Sequence, residues 1–210
     1  DELYIKMNAR GKQLTAFENF KADLINWMQD ETNQFRQEFH GDVDLKGRKM
    51  PYHVSFATKL DVVWTNLFWE FSKTNEEPED KVVDRFFLHF LNTYFLNLYI
   101  TENELQQDSI EQDSIFNKFY RGESNKGEFK YENFDSYKKL LEKNKAIFNL
   151  EQVLDRLTEH YITIKQSIKP VWDIKERWDL FSNSISQRQR ILFFAITKYL
   201  EKNEFKEIKF

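Results

Sequence analysis

At 210 residues, 40% of them hydrophobic, the chain can bury one large core or two small ones, which excludes a disordered polymer. A formal net charge of -4 argues against a dedicated nucleic-acid surface, which declares itself by a basic excess or stripe, so any contact with DNA has to be local. With no cysteine there is no disulfide, thiolate metal site or Cys nucleophile, a pattern that fits a cytoplasmic protein.

Leu3 to Met7 alternates apolar and polar residues around β-formers and reads as a half-buried strand. Gly11 supplies the turn, and Thr15 with Glu18 forms a capping box at the start of a helix running to about Asp30, with Phe17, Phe20, Leu24, Trp27 and Met28 on its apolar face. Gly41 to Pro51 is expected to be a polar connection. Ser55 is the expected cap of a second helix, whose inner face is Phe56, Leu60, Val63, Trp64, Leu67, Phe68 and Phe71. The acidic run Asn75 to Asp80 stops that helix and opens the next, because negative charge favours a helix start. Val82, Val83, Phe86, Phe87, Leu88, Phe90, Leu91, Tyr94, Phe95 and Leu98 then cover nearly a whole circumference, the pattern of a helix packed on most sides. The apolar stretch Phe86 to Leu91 is broken by His89 and is far short of the roughly 20 residues that span a bilayer, so no membrane partner is expected.

Beyond the polar run Thr101 to Asp113, a short helix at Ile115 to Tyr120 is broken by Gly122 to Gly127. Asn133 to Lys145 reads as an amphipathic helix, Asn149 with Gln152 as the cap of another carrying Val153, Leu154, Leu157 and Tyr161, and Pro170 as its limit. Ser186 with Gln189 is a further capping box, ahead of Leu192, Phe193, Ile196, Tyr199 and Leu200. The fold class predicted is mainly α, a multi-helix bundle with one short N-terminal β-strand, in agreement with a chain that has only 5 Gly and 3 Pro.

The chemistry-bearing residues are sparse. Arg85 with His89, and Arg156 with His160, stand one helical turn apart, and ordinary salt bridges account for them better than a helical ribonuclease does. Glu76, Glu77, Glu79 and Asp80 lack the glycine and ligand alternation of a calcium loop and read as a helix start, so no metal site is predicted. Lys126, Lys130, Lys138 and Lys139, interleaved with Tyr131, Phe134 and Tyr137, form the best basic-aromatic stretch and are the candidate nucleic-acid contacts, although Glu128, Glu132 and Glu142 dilute it. No phosphate-binding glycine loop, nucleophile elbow or zinc-protease motif is present, so no catalytic residue is assigned.

One run carries a family signal. Asn8, Arg10, Gly11, Leu14, Thr15, Glu18 and Lys21 fill the pattern Asn-x-Arg-Gly-x-x-Leu-(Ser/Thr)-x-x-(Glu/Asp)-x-x-Lys and so resemble the GmrSD-type restriction endonuclease family. That resemblance implies an anti-phage protein of bacteria with an amino-terminal ParB-like nucleotide-hydrolysing fold, a helical region and, in many members, an HNH-like nuclease that cuts modified DNA. The family's upstream Asp-Gly-Gln-Gln-Arg string is missing, and none of His40, His53, His89 or His160 lies in an HNH-like setting. The chain is therefore expected to be a piece of a longer protein: 1–40 as the end of the nucleotide-binding fold, 41–210 as the helical subdomain. Nucleoside triphosphate and a divalent cation would belong to the whole protein, with DNA, the remaining regions of that protein and a further copy as partners. Asn8, Arg10, Gly11 and Thr15 are the candidate nucleotide-binding residues, since Arg and a helix start both suit an anion. Their other role is structural, with Asn8 bonding the turn and Arg10 pairing with Glu18 or another helix. A helical protein-interaction module unrelated to restriction is the competing function.

Overall fold

A computed structural model describes residues 14–30, 39, 41–72, 79–103, 134–141, 145–168 and 187–202. The elements are helix α1 (Ala16–Gln29), strands β1 (Asp42–Leu45) and β2 (Arg48–Pro51), helices α2 (Tyr52–Thr58) and α3 (Trp64–Ser72) joined by a π-turn (Lys59–Val63), then α4 (Glu79–Asn103), α5 (Asp135–Leu141), α6 (Ala146–Ile168) and α7 (Gln187–Lys202). The protein is mainly α-helical, as the residue periodicity requires.

α4 is the axis. Its residues from Phe86 to Leu96 are all buried, and other helices meet it on several sides. Phe87 contacts Phe17 of α1 at 4.6 Å between ring centroids and stacks on Phe68 of α3 at 4.3 Å. Phe90 meets Phe193 of α7 at 5.2 Å, and Phe95 meets Tyr137 of α5 edge-on at 5.5 Å. Tyr137 also touches Phe20 at 4.8 Å, so α1, α4 and α5 close on one aromatic cluster. A second group, Trp27, Phe39, Tyr52 and Phe148, continues the same core towards α6. The core is thus shared between residues before and after position 40.

Local chemistry explains the ends of the elements, and here three expectations are corrected. Gly41 to Pro51 is not a polar connection but a β-hairpin, pairing Val43 with Met50 and Asp44 with Lys49, so strand is not confined to residues 3–7, which lie outside the described residues. Val43 and Leu45 alternate with Asp42 and Asp44, and the reversal needs positive φ at both Lys46 (53°) and Gly47 (80°), the geometry of a primed two-residue turn. Lys-Gly stands where Asn-Gly is usual, which hid the turn. Secondly, Ser55 caps nothing: α2 begins at Tyr52, directly from the hairpin, with Pro51 in the cap position, and Ser55 is buried inside the helix. Thirdly, Asn149 is not a cap, because α6 begins at Ala146 and the Asn149 amide already donates to the Lys145 carbonyl at 3.0 Å. The expected elements at 3–7 and 115–120, and the Ser186 cap, lie outside the described residues.

The π-turn has a sequence cause. Tyr52, Phe56, Leu60, Trp64 and Phe68 are all buried and are spaced by four residues. At about 100° per residue each such step drifts about 40° around an α-helix, and a wider turn takes that drift back. The Trp64 amide donates to the Lys59 carbonyl five residues earlier, and the Thr65 hydroxyl donates to the Leu60 carbonyl at 2.5 Å, satisfying an acceptor on the distorted stretch.

Since Phe87 lies between Phe17 and Phe68 with no exposed surface, Phe87→Ala should destabilise the protein by about 3–5 kcal/mol, read as a lower urea midpoint.

Candidate functional site

The described half of the Asn8 to Lys21 motif is a bracket that fixes α1 to its neighbours. Thr15 receives the Glu18 amide on its hydroxyl at 3.1 Å while its own amide donates to Glu18 Oε2 at 2.7 Å, which completes the expected capping box. The same hydroxyl donates to Asp84 Oδ2 on α4. Lys21 reaches Asp61 on the π-turn at 2.5 Å. Glu18 is thereby engaged by the cap, and Lys21 by Asp61. Of the candidate nucleotide-binding residues, Thr15 is thus placed in a structural role; Asn8, Arg10 and Gly11 lie outside the described residues.

A closed ionic cluster, which no spacing in the sequence announces, forms where the π-turn meets α6. Lys59 Nζ donates to Glu151 Oε1 at 2.7 Å and to Asp155 Oδ2 at 2.5 Å. The remaining oxygens are also occupied: Tyr52 donates to Glu151 Oε2 at 2.5 Å and Trp64 Nε1 to Asp155 Oδ1 at 2.8 Å. Burial opposes the Lys59 ammonium, but its hydrogen bonds to Asp155 and Glu151 outweigh that and hold its pKa above the ordinary lysine value. Burial, followed by the neighbouring Glu151 charge, pushes the Tyr52 phenol far up. A lysine held as ammonium and a tyrosine held neutral, with every oxygen of the two carboxylates bonded, make this cluster a clasp between α2, the π-turn, α3 and α6.

The other polar groups are anchored similarly. Tyr94 donates to Glu201 at 2.9 Å, and Lys198 approaches the same carboxylate at 2.9 Å, which ties α4 to α7. Tyr137 donates to Asn92 Oδ1 at 2.6 Å, which fixes α5 on α4. Arg156 donates to the Leu200 carbonyl on α7, an interhelical bond, and His160 lies 3.6 Å from Glu159. The Arg85 guanidinium lies 5.5 Å from the Phe86 ring, and His89 is buried.

Lys138 and Lys139 are exposed in the last turn of α5, where positive charge favours the helix dipole; Lys126 and Lys130 lie outside the described residues, as do the side chains of Glu76, Glu77, Glu79 and Asp80. Among the described residues no group of three His, Cys, Asp or Glu side chains could hold a metal ion, and no helix is long and apolar enough to cross a membrane. Comparison with family models, with curated proteins and with solved structures finds no match to this chain.

The clasp carries a pH signature. Tyr52 must stay neutral in the fold but ionises from its ordinary value of 10.0 once unfolded, so its contribution is complete below pH 10.0 and lost above it. The raised Lys59 value acts in the same direction: its stabilisation is complete below 10.5 and disappears as pH rises through the folded value. Stability should therefore fall on the alkaline side of pH 10.0, and Tyr52→Phe should flatten that fall. At neutral pH the same variant should cost about 1–2 kcal/mol, a hydrogen bond to a charged group discounted for the water that reaches the pair. Urea midpoints measured on both sides of pH 10.0 test both statements.

Proposed function

We propose that this chain is a non-catalytic helical part of a GmrSD-type, nucleotide-dependent restriction protein acting on DNA, in which it supports the nucleotide site. The supporting observation is the bracket at Thr15. Thr15 both closes the helix cap and bonds Asp84 on α4, so the segment entering α1 is attached to a helix start held against the central helix. A motif whose work is to hold a phosphate needs such a fixed base, because positioning is lost when a contact wanders by about an ångström. In this reading Asn8 and Arg10 face an anion held by a ParB-like half of the longer protein. That half supplies the triphosphate and divalent-cation chemistry.

The competing reading, a helical interaction module, has an observation of its own. Val54, Val62 and Trp69 are exposed at 39%, 55% and 38% along α2, the π-turn and α3. Ile162 on α6 and Ile191 on α7 are exposed as well, at 69% and 65%, so the exposed apolar residues are spread over several elements and do not by themselves mark one docking face.

Residues 1–210 alone should not hydrolyse nucleoside triphosphates or cut DNA or RNA above background. In a longer protein that retains the upstream sequence, Arg10→Ala should weaken nucleotide binding with little change in melting temperature, because removing a charge-assisted hydrogen bond affects the anion more than the core. Gly11→Val should lower both if Gly11 takes up positive φ there. An Arg10→Ala protein with lowered melting temperature and unchanged nucleotide affinity would show the motif to be structural and remove this proposal.

A further inference from the structure

The β1–β2 hairpin is an arm with its base fixed and its tip charged. Val43 packs against the core at the base, and the Tyr52 amide closes the hairpin on the Gly41 carbonyl at 3.0 Å. Tyr52 is in turn held by Glu151 of the clasp, so the arm starts from one of the better anchored points of the fold. At the other end Lys46, Gly47, Arg48 and Lys49 are all exposed. Among the described residues no hydrogen bond or ion pair engages the side chains of Lys46, Arg48 or Lys49. From Leu45 to Lys49 the arm carries three cations and no carboxylate, on a chain whose formal net charge is -4. Asp44, the nearest acid, accepts the Gly47 amide at 2.8 Å and stands cross-strand from Lys49.

The backbone adds an independent observation. Lys46 adopts φ 53°, a left-handed conformation that favours Gly, Asn or Asp and is costly for a long side chain. Turn formation alone gives no reason for lysine there. Strain of this kind is retained where the side chain has work to do. The register supplies the geometry for that work: Lys49 shares one face of the ribbon with Asp44, Arg48 shares the opposite face with Leu45, and Lys46 occupies the tip. A two-stranded ribbon fits the major groove of duplex DNA, where cations on both faces and at the tip meet phosphates on either wall.

We infer that the β1–β2 hairpin is a contact arm for duplex nucleic acid, binding its phosphates through Lys46, Arg48 and Lys49. The inference rests on the proposed action on DNA and names the surface that makes the contact. On a chain of formal net charge -4 any DNA contact has to be local, and the arm is such a local basic surface.

The test uses a short fluorescein-labelled DNA duplex and the purified chain, with binding followed by anisotropy over a salt series. The unmodified chain should bind at low salt and release as salt rises. Combining Lys46→Asn, Arg48→Gln and Lys49→Gln should abolish most binding and make the log–log salt dependence shallower by about 0.9 for each phosphate that the arm no longer neutralises. Lys46→Asn alone should raise the melting temperature, because Asn suits the left-handed position, while weakening DNA binding; a structural role cannot produce that pair of changes. Lys138→Gln with Lys139→Gln tests the competing basic stretch, while Lys202→Gln, an exposed cation in the last turn of α7, is the control and should leave binding intact. Absence of binding by the unmodified chain, unchanged binding by the triple variant, or loss confined to the Lys138 and Lys139 variant would each overturn the inference. Nucleotide affinity in the longer protein is read separately. A chain that ignores DNA beside a longer protein that binds nucleotide through Arg10 removes this inference alone.

Discussion

A helix that is apolar around most of its circumference cannot stand in water, and α4 is such a helix. Burying one of its large side chains stabilises by about 1.5–3 kcal/mol, so the sleeve around it is a requirement of the sequence and not an accident of connection. Phe87 accepts α1 and α3 together, Phe90 accepts α3 and α7, and Phe95 accepts α1 and α5. Apolar contact alone would leave these helices free to rotate and slide. A few buried or half-buried polar groups on α4 remove that freedom: Asp84 takes the Thr15 hydroxyl, Asn92 takes Tyr137, and Tyr94 reaches Glu201. Each bond contributes only about 1 kcal/mol net, but leaving its partner unpaired inside the core costs as much again or more. The polar contacts therefore fix orientation more than they add stability.

That division explains which parts of the fold are legible in the sequence. α1, α4, the body of α6 and the body of α7 follow from three- and four-residue apolar spacing, and the Thr15–Glu18 box places the start of α1 at the correct residue. Local preference misleads where tertiary context overrides it. Ser55 has cap chemistry, yet the hairpin delivers the chain into helix at Tyr52 and leaves Ser55 buried. Asn149 has cap chemistry as well, but Ala146, Ile147 and Leu150 are already needed in the core and draw the helix start forward. The four-residue spacing from Tyr52 to Phe68 is a usable sign of the π-turn, since a plain α-helix cannot keep those five residues on one face.

The ionic clasp is hidden in the sequence for a different reason. Lys59 lies 92 residues from Glu151 and 96 from Asp155, and each alone resembles an ordinary charge on a helix surface. Pairing becomes visible only when α6 is laid against the π-turn. Isolated exposed pairs contribute little, and Lys21–Asp61, with side chains 29% and 50% exposed, belongs to that class. The clasp differs because all four carboxylate oxygens have a donor and the donors come from α2, the π-turn and α3. It locks the register of the irregular stretch against α6.

Among the described residues two lysines adopt the left-handed conformation, and comparing them shows what strain does and does not imply. Lys145 (φ 57°) sits immediately before α6, and its carbonyl receives the Asn149 amide in the first turn of a 23-residue helix. The many bonds that follow offset one strained residue, so helix formation is reason enough for its conformation. Lys46 (φ 53°) opens a turn between strands of four residues each, where far fewer interactions stand behind the same strain and a more permissive residue would close the turn equally well. Positive φ alone therefore does not single out a site. What separates Lys46 is its company: two further cations within three residues, both exposed, on an arm whose base is fixed through Tyr52 to Glu151.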